Sequence, residues 1–227
     1  MSTGKLIMVS GTGTGIGKTQ FSEALLVALG QVYRRVAGVK PIETGMGEAT
    51  ISDAARLERV STFHVKPFGY VFAEPLSPHL VARDTETPIR LDVLVPLIHA
   101  ARTTADVLLV ELPGGLFSPL SDTEVNADLV RAASPDLTLL VAPDRLGVLH
   151  EVIATLRAAA PTAVAIDGLV LIAPEHRDTS TGLNGRELTR LTNVPVVATL
   201  GRGAPHDLAA GDAMTTLAAS LRQRWQA

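Results

Sequence analysis

The sequence predicts an α/β protein with one mainly parallel central sheet and helices on both faces. Three observations predict it. Short apolar runs alternate with helical patterns along the whole chain, the arrangement that produces a parallel sheet with crossover helices. Several runs are apolar throughout and do not alternate, as expected of strands covered on both faces. The first run, Leu6-Ile7-Met8-Val9, enters the glycine-rich stretch Ser10-Gly11-Thr12-Gly13-Thr14-Gly15-Ile16-Gly17-Lys18-Thr19, and a helical pattern leaves it.

The elements follow in order. Strands are expected at Leu6–Val9, Val36–Val39, Val107–Val110, Leu137–Val141, Leu169–Ile172 and Val194–Ala198. After the glycine turn, Phe21, Ala24, Leu25, Ala28 and Leu29 recur at the spacing of an amphipathic helix, and Gly30 supplies a stop. Leu91–Ala105, Val125–Ala133, Val148–Ala159 and Leu183–Leu191 read as helices, and Asp207 to Arg224 reads as one terminal helix. Phe63–Pro88, with Pro67, Pro75, Pro78 and Pro88, is the least regular part and reads as an elaborated loop over the site. With no repeat, low-complexity segment or linker, residues 1–227 are expected to form a single domain.

Composition narrows the function. The chain of 227 residues is 46% hydrophobic and 19% charged with a net charge of −3, which is the profile of a soluble globular protein without a nucleic-acid footprint. It has no cysteine, so thiolate catalysis, disulfides and Cys-ligated metals are excluded. No signal-peptide architecture and no bilayer-length apolar stretch are present, so no membrane partner is expected and the cytoplasm is the expected compartment.

The glycine-rich stretch reads as a phosphate cradle. Glycines let the backbone approach an anion closely, and the helix N-terminus adds free N–H groups and a favourable dipole. Lys18 adds a full charge, and Thr19 a hydroxyl suited to Mg²⁺. The usual spacing wants a glycine where Thr12 stands, so the strict pattern fails at its start while Gly17-Lys18-Thr19 is intact. The same residues also read as a nicotinamide-cofactor turn. Dehydrogenases with that turn need a Tyr and a Lys four residues later, but Ala37 and Glu74 follow Tyr33 and Tyr70 at that spacing.

Ligands of parallel sheets bind at the carboxyl ends of the strands, and the unusual polar residues fall there. Lys40-Pro41-Ile42-Glu43-Thr44-Gly45 follows the second strand, and Glu111-Leu112-Pro113-Gly114-Gly115 follows the Val107–Val110 run. Pro143-Asp144-Arg145-Leu146-Gly147 follows Leu137–Val141. An acid placed like Glu111 can hold Mg²⁺ opposite Thr19, since Mg²⁺ takes a few oxygen ligands and keeps waters. Asp53, after Ser52, can be a third ligand, but spacing alone favours a helix cap. Lys40 taken alone reads as a solvated lysine at an element boundary. The six histidines show no metal-ligand spacing.

These stretches together resemble the dethiobiotin synthetases, a family with a P-loop NTPase-like fold. Gly11 through Thr19 is similar to that family's cradle, whose early first glycine explains the spacing fault. Gly38-Val39-Lys40-Pro41-Ile42-Glu43-Thr44-Gly45, Ser52-Asp53-Ala54, Phe72-Ala73-Glu74-Pro75-Leu76-Ser77-Pro78-His79 and Val110-Glu111 through Gly114-Gly115 resemble further family segments. Phe117-x-Pro119-Leu120-Ser121-Asp122-Thr123 and Leu146-Gly147 continue the likeness, which covers Leu6–His150 well and the remainder weakly.

The resemblance implies an ATP- and Mg²⁺-dependent ligase joining CO₂ to 7,8-diaminononanoate and closing a cyclic urea. It implies that Lys40 and Lys18 are catalytic, that Thr19, Asp53 and Glu111 surround Mg²⁺, and that Gly15, Ile16, Gly17, Gln20 and Gly114 complete the nucleotide site. Thr12, Lys40, Thr44, Leu146 and Gly147 would bind substrate. The family is homodimeric, which implies that the Leu146–His150 loop places a helix N-terminus near the partner's substrate carboxylate.

Two departures stand out. The family's Gly-Ala after the acid is Leu112-Pro113 here, and Pro113 has no backbone N–H. The family's adenine-reading Asn has no counterpart after Gly168-Leu169-Val170, where Leu171-Ile172-Ala173-Pro174 follows, which leaves the nucleotide base preference open. The alternative reading is a partitioning-type ATPase switch, which shares the deviant cradle. Its signature needs a second Lys where this chain has Gly13, and the chain's end, Leu221-Arg222-Gln223-Arg224-Trp225, is too short for a basic targeting tail.

Overall fold

A computed structural model describes residues 3–47 and 51–226. Strand β1 (Lys5–Gly11) leads through the glycine turn to helix α1 (Lys18–Gly30) and then β2 (Val36–Val39). Next come β3 (Ile42–Glu43), α2 (Asp53–Val60), β4 (Tyr70–Val71), α3 (Pro78–Asp84), α4 (Leu91–Thr104) and β5 (Val107–Glu111). The rest comprises α5 (Asn126–Ala133), β6 (Leu137–Pro143), α6 (Val148–Ala159), β7 (Gly168–Ile172), α7 (Asn184–Leu191), β8 (Val196–Leu200), α8 (Pro205–Ala210) and α9 (Asp212–Gln226).

Among the described residues, six strands form one sheet in the order β2-β5-β1-β6-β7-β8, and every pairing is parallel. β1 is interior, with β5 on one side and β6 on the other. Its residues alternate between two cores. Leu6 and Met8 join Leu108, Val110, Leu140 and the buried faces of α4 to α7. Ile7 and Val9 join Leu109, Val141 and the buried residues of α1, α2, α8 and α9. That alternation is why Leu6–Val9 is apolar throughout: each of these side chains points into one of two helix layers.

Several expectations need correction. α1 is not half-exposed: Phe21 through Leu29 are all buried, because α2, α8 and α9 cover the face turned away from the sheet. Phe63–Pro88 is not one irregular loop. It contains α3, opened by Pro78 in the first helical turn, and β4, which pairs in parallel with β3. The terminal helix is two helices, separated at Gly211, which is extended (φ −72°, ψ 154°). The last strand lies two residues later than expected, at Val196–Leu200, and its register with β7 shifts within it, Leu169 pairing with Val196 and Val170 with Ala198.

The small β3–β4 sheet positions the segment after Lys40. Tyr70 N donates to Pro41 O (2.8 Å), Phe72 N to Glu43 O (2.9 Å) and Gly45 N to Glu74 O (2.9 Å), so the 72–78 segment is folded against Thr44. Gly69 makes this approach possible: its φ is +109°, and a Cβ there would lie 1.9 Å from the Pro41 carbonyl oxygen. Gly69→Ala is therefore expected to lower stability in urea unfolding by about 2 kcal/mol or more. Gly13→Ala, at a position whose Cβ would meet nothing within 4 Å, is expected to stay within about 0.5 kcal/mol of the parent protein.

Candidate active site

The carboxyl ends of β1, β2 and β5 converge, and the polar residues expected there meet. The cradle rises from β1. Gly15 and Gly17 have φ of +71° and +97°, a conformation that turns successive N–H groups inward as an anion nest. A Cβ on Gly17 would also meet Ile172 at 2.8 Å, so packing and backbone both require glycine. Lys18 folds back along the loop, its Nζ donating to the Gly13 carbonyl at 2.8 Å. Burial pushes the Lys18 ammonium down to about 8, with nearby Lys40 adding to that shift and Glu111 and Asp53 opposing it.

Glu111, at the end of β5, is fully buried and gathers three donors. Thr19 Oγ1 donates to its Oε1 at 2.8 Å, Ser22 Oγ to its Oε2 at 2.8 Å, and Lys40 Nζ to Oε1 at 3.0 Å. Lys40 also donates to Asp53 Oδ2 at 2.5 Å, and its side chain is only 11% exposed, so it is not a solvated boundary lysine. Burial alone would push the Lys40 ammonium down; Glu111 and Asp53 outweigh it and hold it above its usual value. Burial pushes the Asp53 carboxyl up, but Lys40, Arg56 and the Thr19 hydroxyl together bring it below its usual value.

Asp53 is not the cap of its helix. Ser52 is, its Oγ accepting from Ala55 N at 2.9 Å, which leaves the Asp53 carboxylate free for Lys40 and Arg56. The Asp53 backbone is held by Glu43, whose Oε1 accepts from Asp53 N at 2.6 Å. Burial raises the Glu43 carboxyl above its usual value, against the hydrogen bonds from the first amides of α2. Thr19, Asp53 and Glu111 thus form an all-oxygen donor set of one hydroxyl and two carboxylates, the chemistry that suits Mg²⁺ beside phosphate.

Two cavities open on either side of Lys40. One, of about 320 Å³, is lined by the cradle residues Gly15 to Gln20 with Arg56, Glu111 and Arg202. The other, of about 490 Å³, is lined by Ile42 to Met46, Pro75 to Pro78, Pro113 and Ser118. Thr14, Lys40, Asp53 and Gly114 belong to both walls. Thr44 lines the larger cavity, and Gln20 lines the smaller, donating to the Gly201 carbonyl at 2.7 Å. The turn after Glu111 keeps its shape through buried Asn126, which donates to the carbonyls of Pro113 (2.6 Å) and Gly115 (2.8 Å).

Thr12, Leu146 and Gly147 form a separate group outside these two walls. Thr12 Oγ1 donates to Glu151 Oε2 at 3.2 Å, and Arg145 donates to the other oxygen of Glu151 at 2.8 Å. Leu146 is 76% exposed, and its N–H is taken by Asp178 Oδ2 at 2.8 Å, which is the main cause holding the Asp178 carboxyl down at about 2. Gly147, with φ +95°, caps α6.

Sequence reasoning missed Thr14, Ser22, Glu23, Glu43 and Arg56. Ser22 and Glu23 sit one turn beyond Thr19 on α1, and Arg56 one turn beyond Asp53 on α2. Helical spacing places them on the site's side, but nothing in their types marks them out.

A glycine nest between a parallel strand and a helix, with its lysine, a threonine hydroxyl and an acid from the neighbouring strand, defines a P-loop NTPase-like protein. Solved structures share the fold. The septum site-determining protein MinD complexed with Mg-ADP from Pyrococcus horikoshii OT3 superposes with a TM-score of 0.62 at 17% identity, covering 97% of each chain. A ParA family ATPase from Chlorobium tepidum TLS gives 0.60 at 14% identity, covering 96% of this chain and 98% of that one. A family model described as "AAA domain" matches residues 5–205. The ATP-dependent dethiobiotin synthetase BioD of Anaeromyxobacter sp. (strain K) is 36% identical over 200 residues, covering 86% of this chain and 88% of that protein. That of Rhodopirellula baltica (strain DSM 10527 / NCIMB 13988 / SH1) is 33% identical over 217 residues, covering 86% and 83%. The chain belongs to the dethiobiotin synthetase family.

Because Glu111 satisfies Thr19, Ser22 and Lys40 at once, Glu111→Ala leaves a buried ammonium and two hydroxyls short of an acceptor. Lys40 keeps Asp53 as a partner, so the cost is expected to be about 1–3 kcal/mol in equilibrium unfolding, and clearly less for Glu111→Gln, which keeps an acceptor oxygen.

Proposed function

We propose that this chain is an ATP-dependent cyclo-ligase that converts 7,8-diaminononanoate and CO₂ to dethiobiotin, with release of ADP and phosphate. The coarser part follows from family membership: it is an ATP-dependent enzyme of the P-loop NTPase type, in the ligase class. The single observation that supports the finer reading is the position of Lys40 in the wall common to a phosphate-side and a substrate-side cavity.

In this reading one surface built from two segments, Lys40 through Gly45 and Glu74 through Pro75, faces the diamine, with Thr44 hydrogen-bonding it. One amine of the substrate takes up CO₂ as a carbamate, losing a proton. The carbamate oxygen attacks the γ-phosphorus, the bond to ADP breaks, and a carbamic-phosphoric anhydride forms. The second amine then attacks the carbonyl carbon, the bond to phosphate breaks, and the urea ring closes with loss of a proton. Bringing a carbamate in line with a triphosphate sets two anions against each other. Lys40 faces the carbamate, Lys18 bridges it to the phosphates, and the nest amides hold the phosphates still, so catalysis is mainly positioning and charge compensation. Thr19, Asp53 and Glu111 would hold Mg²⁺, which supplies further neutralisation of the transferring phosphoryl group.

All of this machinery would sit in one domain spanning residues 1–227. A second copy of the chain would bring its Leu146–His150 loop to the substrate carboxylate, which accounts for that loop lying apart from the two cavity walls.

The test is turnover. ADP and phosphate should appear only when both diaminononanoate and bicarbonate are supplied with a nucleoside triphosphate, and a panel of triphosphates should reveal the base preference. No substrate-dependent turnover with any of them, together with ATP-dependent sedimentation on DNA or vesicles, would favour the partitioning-type switch. Lys40→Gln is expected to abolish ligation while nucleotide still binds; an active variant would remove Lys40 from the mechanism.

A further inference from the structure

We propose that Arg56 is a positioning residue for the magnesium site, holding the Asp53 carboxylate in place by clamping α2 to buried Glu23 of α1. The inference rests on the reading of Asp53 as a magnesium ligand. Glu23 lies one helical turn beyond Thr19, and its side chain is 3% exposed. Arg56 engages both oxygens of that carboxylate in a fork, Nη2 to Oε2 at 2.7 Å and Nε to Oε1 at 3.3 Å. Its Nη1 turns the other way and donates to Asp53 Oδ1 at 3.3 Å.

The arrangement divides the Asp53 carboxylate between two cations. Oδ1 takes Arg56, and Oδ2 takes Lys40. α2 has only eight residues and buries a single one of them, Leu57. A helix so short and so thinly packed has little of its own to fix its first turn. α1, by contrast, is buried along nearly its whole length. The Glu23–Arg56 fork therefore transfers the rigidity of α1, which also carries Lys18 and Thr19, to the metal-site residue carried by the thinly packed α2. Arg59 cannot replace it: it reaches Glu23 only at 3.8 Å and its side chain is 67% exposed. Nor does a lysine suit the position, because a point ammonium cannot occupy both oxygens of Glu23 and reach Asp53 with a planar fork.

The experiment is a Mg²⁺ titration of fluorescent methylanthraniloyl-ADP binding on the full chain, which reads metal occupancy without turnover. Arg56→Gln is expected to raise the Mg²⁺ concentration for half-maximal effect about tenfold, as loss of a group that orients a metal ligand does, while Mg²⁺-free nucleotide affinity stays within about twofold. The paired variant Glu23→Gln with Arg56→Gln removes the lone buried carboxylate that could unfold the single variant, and is expected to show the same shift. Arg56→Lys should not restore the parent value. Asp53→Asn is run alongside. If Asp53→Asn shifts the Mg²⁺ half-point and neither Arg56 variant does, the clamp is wrong and the magnesium reading stands. If Asp53→Asn shifts nothing, the magnesium reading fails and the clamp with it. A loss of Mg²⁺-free nucleotide affinity in Arg56→Gln, at unchanged Mg²⁺ dependence, would overturn positioning in favour of direct phosphate contact.

Discussion

The Glu111 carboxylate is cut off from solvent and satisfied by groups from elements far apart in the chain. Thr19 and Ser22 reach it from α1, and Lys40 from the segment after β2. A buried carboxylate without such partners is expensive to keep ionised, so β1's turn, β2's exit and the end of β5 must all be in register for any of them to be stable. The β2–β5 and β1–β5 pairings set that register, placing Val39 beside Val110 and Val9 beside Glu111. The sheet and the site are thus one construction: the strand order that buries the apolar runs also delivers a hydroxyl, an ammonium and a carboxylate to a common point.

Charge at that point is balanced before any ligand arrives. Lys18, Lys40 and Arg56 are set against Asp53, Glu111 and Glu23. The two lysines differ in how they are held. Lys40 is paired twice with carboxylates, whereas Lys18 rests on a backbone carbonyl and its ammonium is held down at about 8 by burial. An arriving triphosphate therefore finds one under-compensated cation inside a nest of amides, and one cation already committed to the groups that would receive a metal. A cation lent from a carboxylate to an arriving anion can be returned when that anion leaves, so the charge balance of the site is restored after each cycle.

The sequence made five strands of the main sheet readable because their centres are buried on both faces and read as apolar runs. The edge strand β8, with Val196 and Val197 half-buried and Thr199 exposed, reads two residues early. The cradle was readable because glycine, lysine and threonine are each required there for a separate physical reason. β3 and β4 were not readable: they are two residues long, and what defines them is pairing with each other, which no local pattern carries. α3 was hidden among prolines, although Pro78 marks its start. The terminal break at Gly211 left apolar spacing nearly intact on both sides. At the site, Lys40 and Asp53 looked bland one at a time, and only their meeting over Glu111 makes them unusual. Ser52 took the capping role that spacing gave to Asp53. Arg56 and Glu23 were invisible because an Arg–Glu pair between two helices looks, in sequence, like two ordinary surface charges.

β1 is made long before the strands that flank it: Ile7 pairs with Leu109 and with Leu137. The nascent chain must grow by well over a hundred residues before that strand can be flanked on both sides, a wait on the order of ten seconds at ordinary elongation speeds. Throughout it, an unpaired stretch of Leu-Ile-Met-Val waits with the loop and helix it introduces still unsupported. Parallel pairings of such long sequence separation also close slowly once the partners exist. Synthesis is therefore a stage at which this chain is open to aggregation, and the glycine turn between β1 and α1 shares that wait.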